Sequence, residues 1–147
     1  MGWQHVADDD AEPFTQRVPC LSVGVGGWMA PAAAITLRLS AISSDPPHSS
    51  GLVVQALLGP ALQLWPSDSI WLGAGVGLAF LRKTNDTDTA ASVGFEARAG
   101  YTFNRHGKHS INASIEMLTA RFTNDDSSLH FTGRMTSVGV LLGYQLL

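Results

Sequence analysis

Apolar residues at every second position, repeated through most of the chain, are the feature that most constrains its fold. Between residues 90 and 103 the even positions are small, polar or charged, whereas the odd positions are apolar: Ala91, Val93, Phe95, Ala97, Ala99, Tyr101 and Phe103. This alternation is typical of a β-strand whose two faces meet different surroundings. The 15 glycines are spread through the apolar segments, where they would penalise helices.

Six further segments share this pattern. They are residues 21–26, 33–40, 52–64, 69–82, 110–117 and 137–146. Most of them approach or exceed the roughly 9–11 residues that a transmembrane β-strand needs, whereas soluble strands average about 5–6 residues. No apolar stretch approaches the roughly 20 residues of a transmembrane helix. The sequence therefore predicts an all-β protein with seven clear strands.

The connections between these strands alternate in length. Short turns follow Met29, Trp65 (residues 66–68) and Phe103 (residues 104–107). Longer polar connections, which hold most of the acidic residues, cover residues 43–50, 83–89 and 123–130. Short turns at one rim and longer loops at the other are typical of up-and-down antiparallel barrels in bacterial outer membranes.

An eighth strand is needed if the sheet is to close. In lipid, an open edge costs several kcal/mol for each unpaired backbone group, and bacterial single-chain barrels usually have an even strand number. Only Gly2 to Ala7 remains before the acidic residues that begin at Asp8, which is about half a strand. We therefore predict a partial first strand and an acidic loop in residues 1–17, and an eight-stranded type of barrel in residues 18–147.

Two explanations for this short first strand stay open. Either the chain lacks its true start, or a complete mature chain has a short, poorly paired first strand. The first ten residues contain no basic start and no apolar core of a secretory signal peptide.

Four charged residues lie in phase with the small and polar face of the strands. They are Arg38, Glu96, Arg98 and Glu116. Because side chains fill the lumen of a small barrel, and buried charges must be paired, we predict a structural ion network inside the barrel. A gated conduction path is the alternative.

Aromatic residues fall near the ends of the predicted strands. Trp28, Trp65, Trp71, Tyr101, Phe103 and Tyr144 lie near the short turns, and Phe80, Phe122 and Phe131 lie near the long loops. Two girdles at the membrane interfaces are expected from this placement. The three tryptophans, however, are in the inward phase, so a girdle position for them would require a bulge or a place beyond the edge of the barrel.

Composition excludes several classes of function. Only 14% of residues are charged, the formal net charge is −3, and Lys and Arg are scattered, so nucleic acid is not an expected partner. The single Cys20 cannot form an intramolecular disulfide and is interpreted as a small buried residue. His130 with Ser127 or Ser128 is a loose candidate for acyl transfer, but it lies in a predicted loop. We therefore predict no catalysis, no metal and no cofactor.

Several short motifs resemble one family. Gln-Leu-Trp-Pro at 63–66 leads into Ile-Trp-Leu-Gly-Ala-Gly-Val-Gly at 70–77, and similar runs occur at 97–103 and 138–145. With these motifs, the chain from residue 21 onward resembles small bacterial outer-membrane β-barrel proteins of OmpA/OmpX-like architecture. The last strand resembles the signal that barrel-assembly machinery reads, with its polar, glycine and hydrophobic places at Ser137, Gly139, Leu142 and Tyr144. Members of the family commonly end in an aromatic residue, whereas this chain ends in Leu147.

The resemblance implies a location in the bacterial outer membrane, with membrane lipid and the barrel-assembly machinery as partners. It implies a structural role, or interaction through the long loops, and leaves the oligomeric state unspecified. Two other classes stay open. One is a soluble lipocalin-like barrel that binds an apolar ligand in its cavity, and the other is an outer-membrane lipid-modifying enzyme.

Overall fold

The computed structural model describes residues 2–8, 11–18, 20–44, 53–83, 89–106, 109–123 and 133–146. These residues form a single sheet of β-strands in which neighbouring strands are antiparallel, except at one short parallel contact. The strands are β1 (Gly2–Asp8), β2 (Ala11–Val18), β3 (Cys20–Ala30), β4 (Ala33–Ser44), β5 (Val53–Leu64), β6 (Ile70–Lys83), β7 (Thr89–His106), β8 (His109–Phe122) and β9 (Gly133–Leu146). In this part of the chain, no helix is both long enough and apolar enough to span a bilayer.

The seven strands from β3 to β9 are the seven that the alternation predicts. Each pairs with the next along the chain in antiparallel register, from Trp28↔Ala34 between β3 and β4 to Phe122↔Gly133 between β8 and β9. The all-β, up-and-down antiparallel arrangement is therefore confirmed. It arises because strands of period two, joined by short connections, pair most readily with their neighbours in sequence.

Two of the short turns are described in atomic detail. Residues 31–32 join β3 to β4, and the backbone N–H of Trp65 donates to the carbonyl of Ala32 at 2.8 Å. In the turn after β5, the Ser67 hydroxyl accepts from the N–H of Ile70 at 3.0 Å. The turn predicted over residues 104–107 is too long, because β7 continues to His106. A register shift after Thr102 lets β7 stay paired with the start of β8.

The N-terminal region contains the predicted half-strand but not the whole predicted loop. β1 pairs with β9 from Gly2↔Gly139 to Asp8↔Gly133. The acidic loop expected within residues 1–17 is wrong from Ala11 onward, because these residues form β2 and pair with the other edge of β1. Without β2, that edge of β1 would be left unpaired.

The sheet curls so that strands distant in its order meet on one inner face. Arg38 on β4 reaches Glu116 on β8, and the Ser137 hydroxyl on β9 donates to Gln55 on β5 at 2.7 Å. The arrangement is barrel-like, but the backbone ladder is not continuous around it. Where β9 meets β3 directly, Val25↔Leu146 is the single pair among the described residues, and it is parallel.

Candidate functional site

The four charged residues singled out from the sequence come together on the inner face. Arg38, Glu96, Arg98 and Glu116 are 8%, 4%, 4% and 2% exposed. Arg38 Nη2 lies 2.6 Å from Glu116 Oε1, and Arg98 Nη2 lies 3.2 Å from Glu96 Oε1. This charge quartet contains two cations and two anions, so its formal charge is zero and each buried charge has a partner of opposite sign.

Two serines extend the Arg38–Glu116 pair into a closed ring of hydrogen bonds. Arg38 Nε donates to Ser22 Oγ at 2.8 Å, the hydroxyls of Ser22 and Ser40 lie 2.8 Å apart, and Ser40 Oγ donates to Glu116 Oε2 at 3.1 Å. Because Ser40 uses its proton on the carboxylate, Ser22 is the donor between the two hydroxyls. Sequence reasoning missed both serines, although they share the inward phase with the charges. The ring joins β3, β4 and β8.

The second pair is held differently. Both of its members lie on β7, two residues apart, so Glu96 and Arg98 share a face without crossing the interior. The Arg98 guanidinium also lies over the Trp71 ring, at 5.8 Å from its centroid, in the range of cation–π attraction. The Arg98 nitrogens make no hydrogen bond with the described residues. The charge of Arg98 is therefore stabilised by the nearby Glu96 carboxylate and by the indole face of Trp71. Ser40 Oγ also lies 3.5 Å from Glu96 Oε2, so the two pairs lie side by side on the inner face.

Three tryptophans fill the interior at the short-turn end. Trp28 and Trp65 have ring centroids 5.7 Å apart, and Trp65 and Trp71 have centroids 6.3 Å apart. Trp65 is 6% exposed and Trp71 is fully buried, so a place in an outer girdle is wrong for these residues. Strict alternation keeps Trp65 and Trp71 inward, and Ala34 and Gly100 leave the space that their rings occupy.

A methyl group added at Gly100 is expected to disturb this tryptophan plug. A Cβ at Gly100 would overlap the Trp71 indole, whereas a Cβ at Gly27 would meet nothing within 4 Å. Overpacking of this kind costs about 1–3 kcal/mol. We expect Gly100→Ala to lower the free energy of unfolding by that amount and to shift the tryptophan fluorescence, with Gly27→Ala close to the parent. Equal stability of the two variants would contradict the packing described for Trp71.

An apolar cluster fills the interior at the long-loop end. It consists of Leu57, Ala79, Leu81, Ala90, Leu118, Ala120, Phe122 and Met135. Phe122 is fully buried, so its predicted place in a rim girdle is wrong. Phe80 does lie on the outer face, and Phe131 lies outside the described residues. The charge quartet therefore lies between an aromatic plug and an apolar cluster.

The outer face is apolar over most of its height. Its exposed side chains include Leu21, Val23, Val25, Ile35, Leu37, Leu39, Leu58, Leu62, Leu72, Val76, Leu78, Val93, Phe95, Ile111, Ile115, Val140 and Leu142. Among the described side chains of β3–β9, the exposed arginines are Arg82, Arg121 and Arg134, all at the long-loop end. The predicted girdle residues Tyr101, Phe103 and Tyr144 are exposed at the short-turn end.

The residues that resemble an assembly signal divide between the two faces of β9. Ser137 is fully buried and Gly139 is buried beside Cys20, whereas Leu142 and Tyr144 are 83% and 62% exposed. His109 on β8 lies against Tyr144, where its Nδ1 and the phenol form a hydrogen bond. The assembly-signal residues divide in this way because side chains at odd positions of β9 face inward, whereas Leu142 and Tyr144 are at even positions and face outward.

The described residues contain no group of three or more His, Cys, Asp or Glu side chains that could hold a metal ion. Comparisons with protein-family models, with curated proteins and with solved structures found no match to this chain. Function must therefore be inferred from the distribution of residues over the two faces of the sheet.

Proposed function

We propose that this chain is a membrane-embedded β-barrel protein of the bacterial outer membrane, with a structural or surface-interaction role and no catalysis. One observation carries the proposal. The charged quartet is buried on the inner face, while large aliphatic and aromatic side chains are exposed on the outer face. Soluble monomers rarely expose apolar patches above a few hundred Å², whereas lipid favours this distribution.

The height of the apolar outer face fits a bilayer. On β6 the outward residues from Ile70 to Phe80 are all apolar. These ten steps measure about 33 Å along a strand, which is about 25 Å of membrane thickness at a tilt of about 40°. The outward apolar band of outer-membrane barrels is about 25 Å tall.

The two ends of the outer face supply the polar and amphipathic groups that membrane interfaces favour. At the turn end Tyr101 and Phe103 contact each other edge to face, with centroids 5.3 Å apart. At the loop end Arg121 and Arg134 face each other across β8 and β9. Aromatic rings, and arginines whose side chains extend toward the headgroups, are both typical of the membrane interface.

The facing of the strands weighs against the soluble lipocalin-like alternative. That class needs apolar residues inward around a cavity and charged residues outward, whereas Glu96 and Arg98 are buried. A conduction path is also disfavoured, because the tryptophan plug and the apolar cluster lie on either side of the charges. The acyl-transfer candidate, His130 with Ser127 or Ser128, lies outside the described residues. If His130→Ala abolished a lipid-modifying activity and left the barrel intact, that result would support the lipid-modifying enzyme instead.

Refolding tests the proposal directly. The denatured chain is diluted into detergent micelles or into plain buffer, and far-UV circular dichroism and gel mobility before and after boiling are compared. We expect β-rich protein with a fast, boiling-sensitive band only in detergent, since lipid-like solvent is needed to cover the outer face. A monodisperse, β-rich protein in buffer alone would overturn the membrane assignment.

A further inference from the structure

A groove interrupts the apolar outer face at its long-loop end. The groove has a volume of about 650 Å³ and is lined by Val54 and Ala56 of β5, Phe80 and Arg82 of β6, and Thr89 of β7. Pockets that bind small molecules measure about 300–1,000 Å³, so this groove is large enough to hold part of a ligand. We call it the loop-end groove.

The strand register explains the apolar part of the loop-end groove. Ala56 lies opposite Phe80, and the next outward pair toward the middle of the sheet is Leu58 and Leu78, whose side chains are large and exposed. Because the Ala56 side chain is small, it leaves a depression between these leucines and the rim. The Phe80 ring forms one wall of that depression.

The end of the groove that lies toward the long loops is polar. Arg82 and Thr89 are register partners on β6 and β7, and both side chains are exposed. The Cβ atoms of such partners lie about 4.5–5.5 Å apart, so a guanidinium and a hydroxyl can donate hydrogen bonds to one acceptor group there. Arg82 makes no ion pair with the residues that the structure describes. The groove is therefore apolar along its floor and positively charged at its rim.

The charges of the surrounding strands favour an anionic occupant. Within the described parts of β3–β9, both acidic side chains, Glu96 and Glu116, are buried on the inner face. The exposed arginines of the same strands lie at the long-loop end. The outer face thus presents positive charge beside the groove, and no described carboxylate of these strands opposes an anion there.

We propose that the loop-end groove binds one anionic, phosphate-bearing membrane lipid. Its phosphate would accept hydrogen bonds from Arg82 and Thr89, and one acyl chain would lie along Ala56 and Phe80. Arginine suits this role because its planar donors match phosphate oxygens in pairs. Arg82 lies two residues beyond Phe80, about 7 Å along the strand. The groove therefore changes from charged to apolar in the direction in which a lipid changes from headgroup to chain.

The inference rests on the proposed function, because a lipid reaches the groove in this orientation when a bilayer surrounds the outer face. A free phosphate ion would contact the polar end alone. A zwitterionic lipid would fill the apolar part but would not supply the net negative charge that Arg82 complements. These two occupants are alternatives that the experiment must separate from an anionic lipid.

Quenching of a tryptophan placed in the groove measures which lipid occupies it. Phe80→Trp is refolded into phosphatidylcholine vesicles that contain a minor share of lipid with brominated chains, either phosphatidylglycerol or phosphatidylcholine. Bromine quenches tryptophan at short range, and subtraction of the parent protein isolates the introduced ring. We expect stronger quenching by phosphatidylglycerol, which corresponds to an association about fivefold tighter, the effect of one arginine near anionic lipid.

Four further variants locate the preference in the groove. In the Phe80→Trp background, Arg82→Gln should be quenched equally by the two lipids, and Ala56→Phe should weaken the quenching by phosphatidylglycerol because it fills the groove. Arg134→Gln is the matched control, since it removes an exposed arginine at the same end of the sheet, three strands away on β9, and should keep the preference. Leu72→Trp places the reporter on the same face of β6 at the short-turn end and should show no preference.

Three outcomes would overturn the proposal. The first is equal quenching of Phe80→Trp by the two lipids, which would indicate binding through the chain alone. The second is an equal loss of preference in Arg134→Gln and Arg82→Gln, which would indicate diffuse attraction to the rim. The third is loss of the preference when excess inorganic phosphate is added at constant ionic strength, which would indicate a site for free anions.

Folding is monitored on the same samples. If Phe80→Trp does not fold, Val54→Trp provides a second reporter in the groove. The boiling-sensitive gel band is recorded for every variant. Failure of the membrane assignment would remove that band from the parent, whereas failure of the lipid site would leave the band unchanged and abolish the lipid preference.

Discussion

Replacing Glu116 by Ala is expected to lower the free energy of unfolding by about 3–5 kcal/mol. The carboxylate is 2% exposed and accepts from Arg38 and Ser40, at 2.6 Å and 3.1 Å. Its removal leaves the Arg38 guanidinium buried with Ser22 as its described partner, and an uncompensated buried charge is costly. Denaturant unfolding of the refolded protein, followed by circular dichroism and tryptophan fluorescence, measures the change.

A double-mutant cycle separates the loss of the pair from the loss of packing. We expect Arg38→Met to be strongly destabilising alone, since it leaves Glu116 as a buried anion. The double variant Arg38→Met, Glu116→Ala should be more stable than the sum of the two single effects predicts, because neither charge then remains unpaired. Glu116→Gln keeps the acceptor for Ser40 and should cost less than Glu116→Ala. Additive single effects would show that the two side chains do not act as a pair.

Much of the fold could be predicted from the alternation of apolar with small or polar residues. Period two assigns every residue of a strand to one of two faces, so the inward phase of Arg38, Glu96, Arg98 and Glu116 followed from their positions in strands. The alternating connection lengths were enough to predict the antiparallel order. The same rule indicated inward tryptophans, but the expectation that aromatic rings favour an interface competed with it. Inside the barrel-like sheet, alternation prevailed at Trp65 and Trp71.

The partners inside the quartet could not be predicted from the sequence. Arg38 and Glu116 are separated by 78 positions, and their contact depends on how the sheet curls and staggers. The inward phase of these residues does not decide whether Arg38 pairs with Glu96 or with Glu116. The strand β2 was missed for a related reason. It follows directly after the acidic residues 8–10 and contains Glu12 and Pro13, which suggest a loop, but the second edge of β1 supplies a pairing partner that the local pattern does not reveal.

Placing a charge in the middle of the outer face tests most directly whether lipid covers that face. Ala97 is exposed on β7 and lies between Ala74 on β6 and Met117 on β8. If lipid covers this face, Ala97→Arg should lower the free energy of unfolding from lipid vesicles by about 2–4 kcal/mol, the cost of arginine near the bilayer midplane. Val93→Arg, two same-face positions closer to the long loops, should also be destabilising.

Ala30→Arg is the matched control, because it is the same substitution at an exposed position next to the short turn at the end of β3. Near the interface an arginine costs about 0–1 kcal/mol, since its side chain can extend to the headgroups. In water both positions would be solvated, and both substitutions would change stability by less than about 0.5 kcal/mol. A difference between Ala97→Arg and Ala30→Arg in vesicles would therefore report depth in a bilayer and not intolerance of arginine. Equal effects would mean that the apolar outer face is covered by something other than lipid.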